Sequence, residues 1–304
     1  MNPMKSTFLA LWMTATLASF GQTKAASSPS ETTASEQTVI AAGDIVDCNN
    51  LSGSEATAKL LDKLPGTILT LGDLAYPDGS QQNFNACYAK TWGRHKSRTR
   101  PALGNHEYHT PGAAGYFDYF GKVAGEPSRG YYSFNLGTWH LIALNSQCAE
   151  VGGCQKGSPQ EQWLRDDLRK NSSKCILAYW HSPLFSSGSE HGNDPTMKPF
   201  WDDLYEAGAD IVLNGHDHDY ERFAPQDQNG VANPKKGIRE FVVGTGGKNQ
   251  RRFNRALPTT ETRSNNTFGV LKLSLHSASY DWEFIPVASG QFTDSGKDTC
   301  HSQK

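Results

Sequence analysis

A chain of 304 residues, 37% hydrophobic and 20% charged, is long enough to bury a substantial core as one large domain or two small ones. Lys and Arg number 29 against 31 Asp and Glu, a formal net charge of −2. No long basic run accompanies it, which argues against a nucleic-acid-binding or membrane-surface protein.

The N-terminus opens with Lys5, an apolar run from Phe8 to Phe20 and small residues at Ala25-Ala26. This is the pattern of a secretory signal peptide over 1–26, the run being short for a membrane anchor. Removing it leaves 27 basic against 31 acidic residues, a net charge of −4. Residues 27–37, rich in Ser, Thr and Glu, read as a disordered leader, and 38–304 as a single domain. The six cysteines all lie beyond residue 26, without a Cys-x-x-Cys pattern, which in an exported protein favours disulfides. Only Cys148 with Cys154 suggests a local pairing, closing the turn Val151-Gly152-Gly153.

A first strand over 38–42 ends in Gly43-Asp44. Residues 54–64 have helical apolar spacing stopped by Pro65-Gly66, and a second strand over 67–71 delivers Gly72-Asp73, a βαβ order with both carboxylates at carboxyl strand ends. Residues 81–96 read as helical. A short strand over 100–103 leads into Gly104-Asn105-His106-Glu107. The aromatic run 116–120 is a core or pocket wall, or else a base-stacking surface. Residues 131–136 and 138–145 form a hairpin turning at Gly137. Ser158, Pro159 and Glu161 open a helix that runs to about Lys170. A strand over 175–180 gives His181, and the loop after it carries Glu190-His191. A helix over 198–207 precedes the run 209–213 and then Gly215-His216-Asp217-His218. Strands over 240–243, 267–275 and 279–285 then read as completing a second sheet of one α/β domain. The basic clusters at 94–100 and Arg251-Arg252 read as solvated surface.

Five apolar runs therefore end in metal-ligand residue types. Together they supply Asp44, Asp73, Tyr76, Asn105, His181, His216 and His218. Two adjacent ions roughly 3.5–4 Å apart need a bridging carboxylate and a mixture of oxygen and imidazole donors. Asp73 is the natural bridge. Tyr76 has an ordinary pKa of ~10, so only a strongly Lewis-acidic ion would keep it ionised near neutral pH. Taken singly, each residue has a plain reading as a turn cap, a packed ring or a core histidine. His95, His109, His140, His276 and His301 stand in no such block and read as structural or surface.

As a set, the blocks Gly43-Asp44, Gly72-Asp73-Leu74-Ala75-Tyr76, Gly104-Asn105-His106-Glu107, His181 and Gly215-His216-Asp217-His218 resemble the metallophosphoesterases, and more narrowly the purple acid phosphatases, over about 38–245. The resemblance implies an α/β four-layer sandwich, two mixed β-sheets flanked by helices, with a bimetal site at the carboxyl ends of strands. It implies Fe(III) held by Asp44, Asp73, Tyr76 and His218, and a second divalent ion (Fe, Zn or Mn) held by Asp73, Asn105, His181 and His216. His106 and His191 would be catalytic, and Asn105, His106, Glu190 and His191 would face the substrate. Two departures stand out: Asp44-Ile45-Val46 lacks the histidine of an Asp-x-His block, with Tyr76 available to replace it, and Ala178-Tyr179-Trp180 precedes His181.

The implied function is an exported, secreted or periplasmic acid phosphatase-like enzyme that hydrolyses small phosphate monoesters by attack of a metal-bound hydroxide. The alternative is a phosphodiesterase or nucleotidase on the same site, favoured if 116–120 stacks a base. A non-enzymatic metal- or phosphate-binding protein is a third class. Asn50, Asn171 and Asn265 lie in Asn-x-Ser/Thr sequons.

Overall fold

The five apolar runs are parallel strands buried on both faces, which is why they lack polar alternation. In the computed structural model, which describes residues 36–301 and, near the N-terminus, 1, 3, 4 and 6–11, they belong to two mixed sheets. One sheet has the order Asp294–Thr299, Ser279–Pro286, Gly269–Leu275, Gln37–Ala42, Thr67–Leu71 and Thr99–Ala102. The other has the order Thr260–Ser264, Tyr220–Phe223, Arg239–Val243, Ile211–Asn214, Cys175–Tyr179, Trp139–Ala143 and Tyr132–Leu136. Leu141, Leu177, Leu213 and Phe241 of the second sheet pack in one core with Ala41, Leu69 and Leu271 of the first. Alternate residues of the second sheet, Ile142, Ile176, Ala178 and Val212, pack with Leu164, Phe200, Trp201 and Leu204 of the helices Pro159–Lys170 and Lys198–Ala207. The helix Ser52–Leu61 and the helical segments between 81 and 124 cover the first sheet. This is the expected four-layer arrangement of two mixed sheets flanked by helices. The residues from 36 to 301 belong to one compact unit.

Several expectations are corrected. The strands Gly269–Leu275 and Ser279–Pro286 do not complete the second sheet. They join the first, Gly269–Leu275 antiparallel to Gln37–Ala42 and Ser279–Pro286 antiparallel to Gly269–Leu275, and of the late strands read from sequence only Arg239–Val243 lies in the second sheet. Their alternating burial marks sheets with one solvated face, and that pattern specifies a face without specifying a partner. Gln37 is paired with Leu275, so the leader ends before it. The remainder of the expected leader, apart from Glu36, and most of the expected signal peptide lie outside the described residues. Residues 81–96 are α-helical only over Gln81–Ala86. The chain then turns at Cys87, which is bridged to Cys48, and continues as 3₁₀ turns to Arg98. The cap at Ser158 is as expected, with the hydroxyl accepting from the Glu161 N–H.

The three disulfides are Cys48–Cys87, Cys148–Cys154 and Cys175–Cys300. The last closes a span of 125 residues and ties the second sheet to the segment following the first sheet's edge strand, whereas Cys148–Cys154 closes only 6. Loop-closure entropy makes the long bridge the more stabilising, by about 2–3 kcal/mol on the chain-entropy account. The double variant Cys175→Ala/Cys300→Ala is therefore expected to lose more stability in denaturant titration than Cys148→Ala/Cys154→Ala. Equal losses would show that the long bridge does not act through loop entropy.

Candidate metal centre

The blocks meet where parallel strands of both sheets end. Asp44 follows Gln37–Ala42, Asp73 follows Thr67–Leu71, Asn105 and His106 follow Thr99–Ala102, His181 follows Cys175–Tyr179, and His216 and His218 follow Ile211–Asn214. Among the described residues, four non-glycine residues have positive φ, and three of them are Asp44 (58°), Asp73 (53°) and His216 (72°). Such left-handed backbone costs about 1 kcal/mol or more each and concentrates at functional sites. The glycine ahead of a block residue answers to a neighbouring block. A Cβ on Gly104 would stand 2.1 Å from Asp73 Oδ1, and one on Gly72, itself at φ 82°, would stand 2.5 Å from His181 Nδ1.

Each carboxylate uses one oxygen on the backbone and turns the other inward. Asp44 Oδ2 accepts from the His216 N–H at 2.8 Å, while its Oδ1 lies 2.9 Å from Tyr76 Oη and 3.4 Å from His218 Nε2. Asp73 Oδ1 accepts from the His106 N–H at 2.9 Å. Its Oδ2 lies 3.0 Å from Tyr76 Oη and 3.3 Å from His181 Nε2. His181 Nε2 is also 3.1 Å from His216 Nδ1 and 3.2 Å from Asn105 Oδ1. Two groups of four therefore share Asp73: Asp44, Asp73, Tyr76 and His218 on one side, and Asp73, Asn105, His181 and His216 on the other.

The outer nitrogens of the rings fix their tautomers. His181 Nδ1 meets the Leu71 carbonyl at 2.8 Å, His218 Nδ1 meets Asn249 Oδ1 at 2.7 Å, and His106 Nδ1 meets the Pro77 carbonyl at 2.6 Å. These oxygens only accept, so each Nδ1 carries a proton, and each ring, when neutral, presents its Nε2 lone pair inward. Glu107 braces the floor: its carboxylate accepts from the N–H groups of Asp73, Leu74 and Gly104 at 2.8–2.9 Å.

Burial raises the carboxyl pKa of Asp44 and Asp73, but His218 beside the first and His181 beside the second outweigh it and hold both below the usual range. Burial pulls His181 down, yet Asp73 and Asp44 bring it up to about 10. Burial, with His181 and His191 adjacent, pushes His216 down to about 3. Burial and the two carboxylates push the Tyr76 phenol well above its usual value of 10. With protein groups alone, charge is thus offset only by imidazolium, and Tyr76 stays a phenol. A donor set of carboxylate, amide and phenol oxygens with three imidazoles suits iron, zinc or manganese. Two groups of four sharing one carboxylate fit a pair of such ions.

The rim holds the remaining expected residues. The His106 ring lies tilted against Tyr76 with centroids 4.3 Å apart, and His109, expected to be structural or surface, stands 4.5 Å from His106 on the same Pro77 carbonyl. His191 stacks on His216 with ring centroids 3.9 Å apart. Glu190 points to Arg251, its carboxylate 3.0 Å from the guanidinium. Arg251 is therefore not the solvated surface expected of it. Asn249 was also missed, since it follows the Gly244-Thr245-Gly246-Gly247 turn in no recognisable block. Tyr116, Phe117 and Phe120 are buried with Phe84 and Tyr88, and Tyr116 donates to the Pro101 carbonyl. Three of the four rings in 116–120 are therefore core, while Tyr119 is half-buried with the Lys96 ammonium over its ring and Asp118 is exposed, so most of the base-stacking surface invoked for a nucleotidase is absent.

Comparison with known proteins agrees with this geometry. A model of the calcineurin-like phosphoesterases matches residues 31–220. Purple acid phosphatase 15 of Arabidopsis thaliana is 28% identical over 237 residues, 65% of this chain and 43% of the relative. Probable purple acid phosphatase 20 of the same plant is 31% identical over 162 residues, 51% of this chain and 36% of the relative. The chain thus spans less than half the length of either. The solved purple acid phosphatase PPD1 of yellow lupin (Lupinus luteus) superposes with a TM-score of 0.73 at 20% identity, covering 88% of this chain and 54% of that one. This last match is a likeness of fold.

The anchoring of His218 by Asn249 gives a direct test. Residues that orient a ligating ring typically contribute 10–100-fold to metal affinity. Asn249→Ala is expected to weaken binding of zinc or manganese to the metal-stripped protein by about tenfold or more, read by calorimetric titration, with little change in the melting temperature of the stripped form. Unchanged metal affinity would show that this contact does not serve the site.

Proposed function

The chain belongs to the calcineurin-like phosphoesterase family, and from that premise we propose that it is a purple-acid-phosphatase-like hydrolase of small phosphate monoesters. One observation carries the reading: the Tyr76 hydroxyl stands within 2.9–3.2 Å of Asp44, Asp73 and His218, where the Asp-x-His block has Ile45-Val46 instead. Asp44, Asp73, Tyr76 and His218 would hold a ferric ion. Asp73, Asn105, His181 and His216 would hold a divalent one, iron, zinc or manganese. Charge supports that division, since two carboxylates and a phenolate call for a more highly charged ion than one shared carboxylate with an amide and two imidazoles. Bound there, the pair supplies Lewis acidity that activates water near neutral pH and neutralises charge on the phosphoryl oxygens.

The protein's own groups position the substrate and move protons. His106, with its Nδ1 proton committed to Pro77, would when protonated have an Nε2–H to donate to a phosphoryl oxygen or to the departing alkoxide. Asn105 holds its amide oxygen at His181 and leaves its N–H₂ as a donor beside the same anion. His191, stacked on His216, closes the opposite wall. Export is part of the proposal, to the periplasm or the cell exterior. It is supported by three disulfides and by the signal-like sequence of 1–26. No helix among the described residues is long and apolar enough to cross a membrane.

The iron-loaded protein is expected to hydrolyse p-nitrophenyl phosphate faster than bis(p-nitrophenyl) phosphate, and Asp73→Asn to lose at least about 10²-fold in kcat. A diester preference would move the substrate class to phosphodiesters, and full activity of Asp73→Asn with both metals bound would remove the mechanism. The visible spectrum tests the Tyr76 assignment separately. A broad absorption band is expected, absent from Tyr76→Phe at equal iron content; a band that survives the substitution would rule out the tyrosinate.

A further inference from the structure

The segment 248–254 borders the metal centre and joins its two sides. The Lys248 N–H donates to the Asp44 carbonyl at 2.9 Å, and its ammonium lies 4.8 Å from the centre of the Tyr76 ring while pairing with Asp47 at 2.7 Å. Asn249 holds His218, and the Arg251 N–H donates to the His218 carbonyl at 3.2 Å. Beyond it, Ser189 N–H donates to the Arg252 carbonyl and Asn254 N–H to the Ser187 carbonyl, at 2.9 and 2.8 Å. The segment is thus fastened to the loop that carries Glu190 and His191.

Arg251 is what this fastening delivers. Its Nε pairs with Glu190 at 3.0 Å, and its Nη1 donates to His191 Nε2. The arginine side chain is 17% exposed and the glutamate 55%, so the guanidinium lies inward of its partner. A guanidinium has donors only. The His191 nitrogen that meets it is therefore an acceptor, and positive charge at this corner belongs to Arg251. Its fork keeps N–H groups beyond these two contacts, and its planar geometry matches a phosphate bidentately. His106 stands beside Tyr76 and Asp73, whereas Arg251 stands outside the His191–His216 stack, so the two reach different parts of a bound anion.

Building on the phosphoesterase reading above, we propose that Arg251 is a specificity-determining residue that binds a second phosphate adjacent to the one attacked. The favoured substrates are then compounds with two phosphates in series, of the pyrophosphate or nucleoside diphosphate kind, over esters of neutral alcohols. In such a substrate the P–O bond to the bridging oxygen breaks, water supplies the oxygen of the new P–O bond, and its two protons go one to each phosphate product. Arg251 offsets charge on the departing phosphate, and Glu190 orients the arginine without touching substrate.

The test compares full-length wild type with Arg251→Gln and Arg251→Lys on inorganic pyrophosphate and p-nitrophenyl phosphate, at matched metal content and melting temperature. The ratio of kcat/KM for pyrophosphate to that for p-nitrophenyl phosphate is expected to fall about tenfold or more in Arg251→Gln, chiefly through KM. Arg251→Lys should recover only part of it, because an ammonium lacks the fork. An unchanged ratio would overturn the proposal. Should wild type hydrolyse neither compound, the phosphatase reading fails, and Arg251 is judged by calorimetry with methylenediphosphonate and methylphosphonate. A preference for the diphosphonate that disappears in Arg251→Gln supports the assignment, and equal binding by wild type and variant overturns it.

Discussion

Two carboxylates and a phenol, all buried, crowd one small space: the inner oxygens of Asp44 and Asp73 both stand about 3 Å from Tyr76 Oη. In a medium of low dielectric, like charges so placed repel strongly unless positive charge is brought to them. The fold brings some of it as imidazole from the opposing sheet, with His181 at Asp73 and His218 at Asp44. Neither sheet contains the site. Asp44, Asp73, Tyr76 and Asn105 come from the first sheet's strand ends and the short strand beyond, and the three histidines from the second. The packing of the two sheets is therefore also what sets the distances among the seven donors.

Holding those distances requires conformations that the backbone does not choose for itself. Asp44, Asp73 and His216 lie in left-handed conformation, each at the second residue beyond a strand. Each is held by hydrogen bonds that cross between blocks: His216 N–H to Asp44, His106 N–H to Asp73, and Asp73 N–H to Glu107. Removing one block loosens the others, so the site behaves as one unit. The buried Asp217 extends that unit outward. It accepts from the Ser186 hydroxyl and from the Gly192 N–H at 3.1 Å, tying the loop of His216 and His218 to the loop of His191.

What could be read from the sequence follows from the same physics. A parallel strand buried on both faces is a continuous apolar run, and the blocks begin where such runs stop, so Asp44, Asp73, His181 and His216 announced themselves in pairs of element and ligand. Glycine ahead of Asp73, Asn105 and His216 reinforced the signal, for a reason that lies in the neighbouring blocks and not in the turns alone. The sheet joined by Gly269–Leu275 was not legible, because an alternating strand reports which face is buried and not against whom. Asn249 and Arg251 were not legible either. Their roles come from hydrogen bonds to His218 and His191, 31 and 60 residues away, and the arginine doublet has the composition of ordinary surface. Nor did the cysteine pattern, apart from Cys148 and Cys154, fix which partners meet.

The replacement of an imidazole by a phenol in the first group of donors changes more than one contact. A histidine beyond Asp44 would reach the site neutral; Val46 occupies that position, wholly buried and paired with Ala75, the neighbour of Tyr76. Tyr76 enters from the other block instead, and its charge depends on what it meets. Among the two carboxylates alone it remains a phenol, donating to them. Facing a strongly Lewis-acidic cation it would ionise, and Lys248, 4.8 Å from the ring centre, is placed to favour the anion. A single side chain can thus serve as hydrogen-bond donor to an empty cluster and as anionic ligand to a filled one. That would let this half of the site keep its arrangement in both states while selecting, by charge, the ion that fills it.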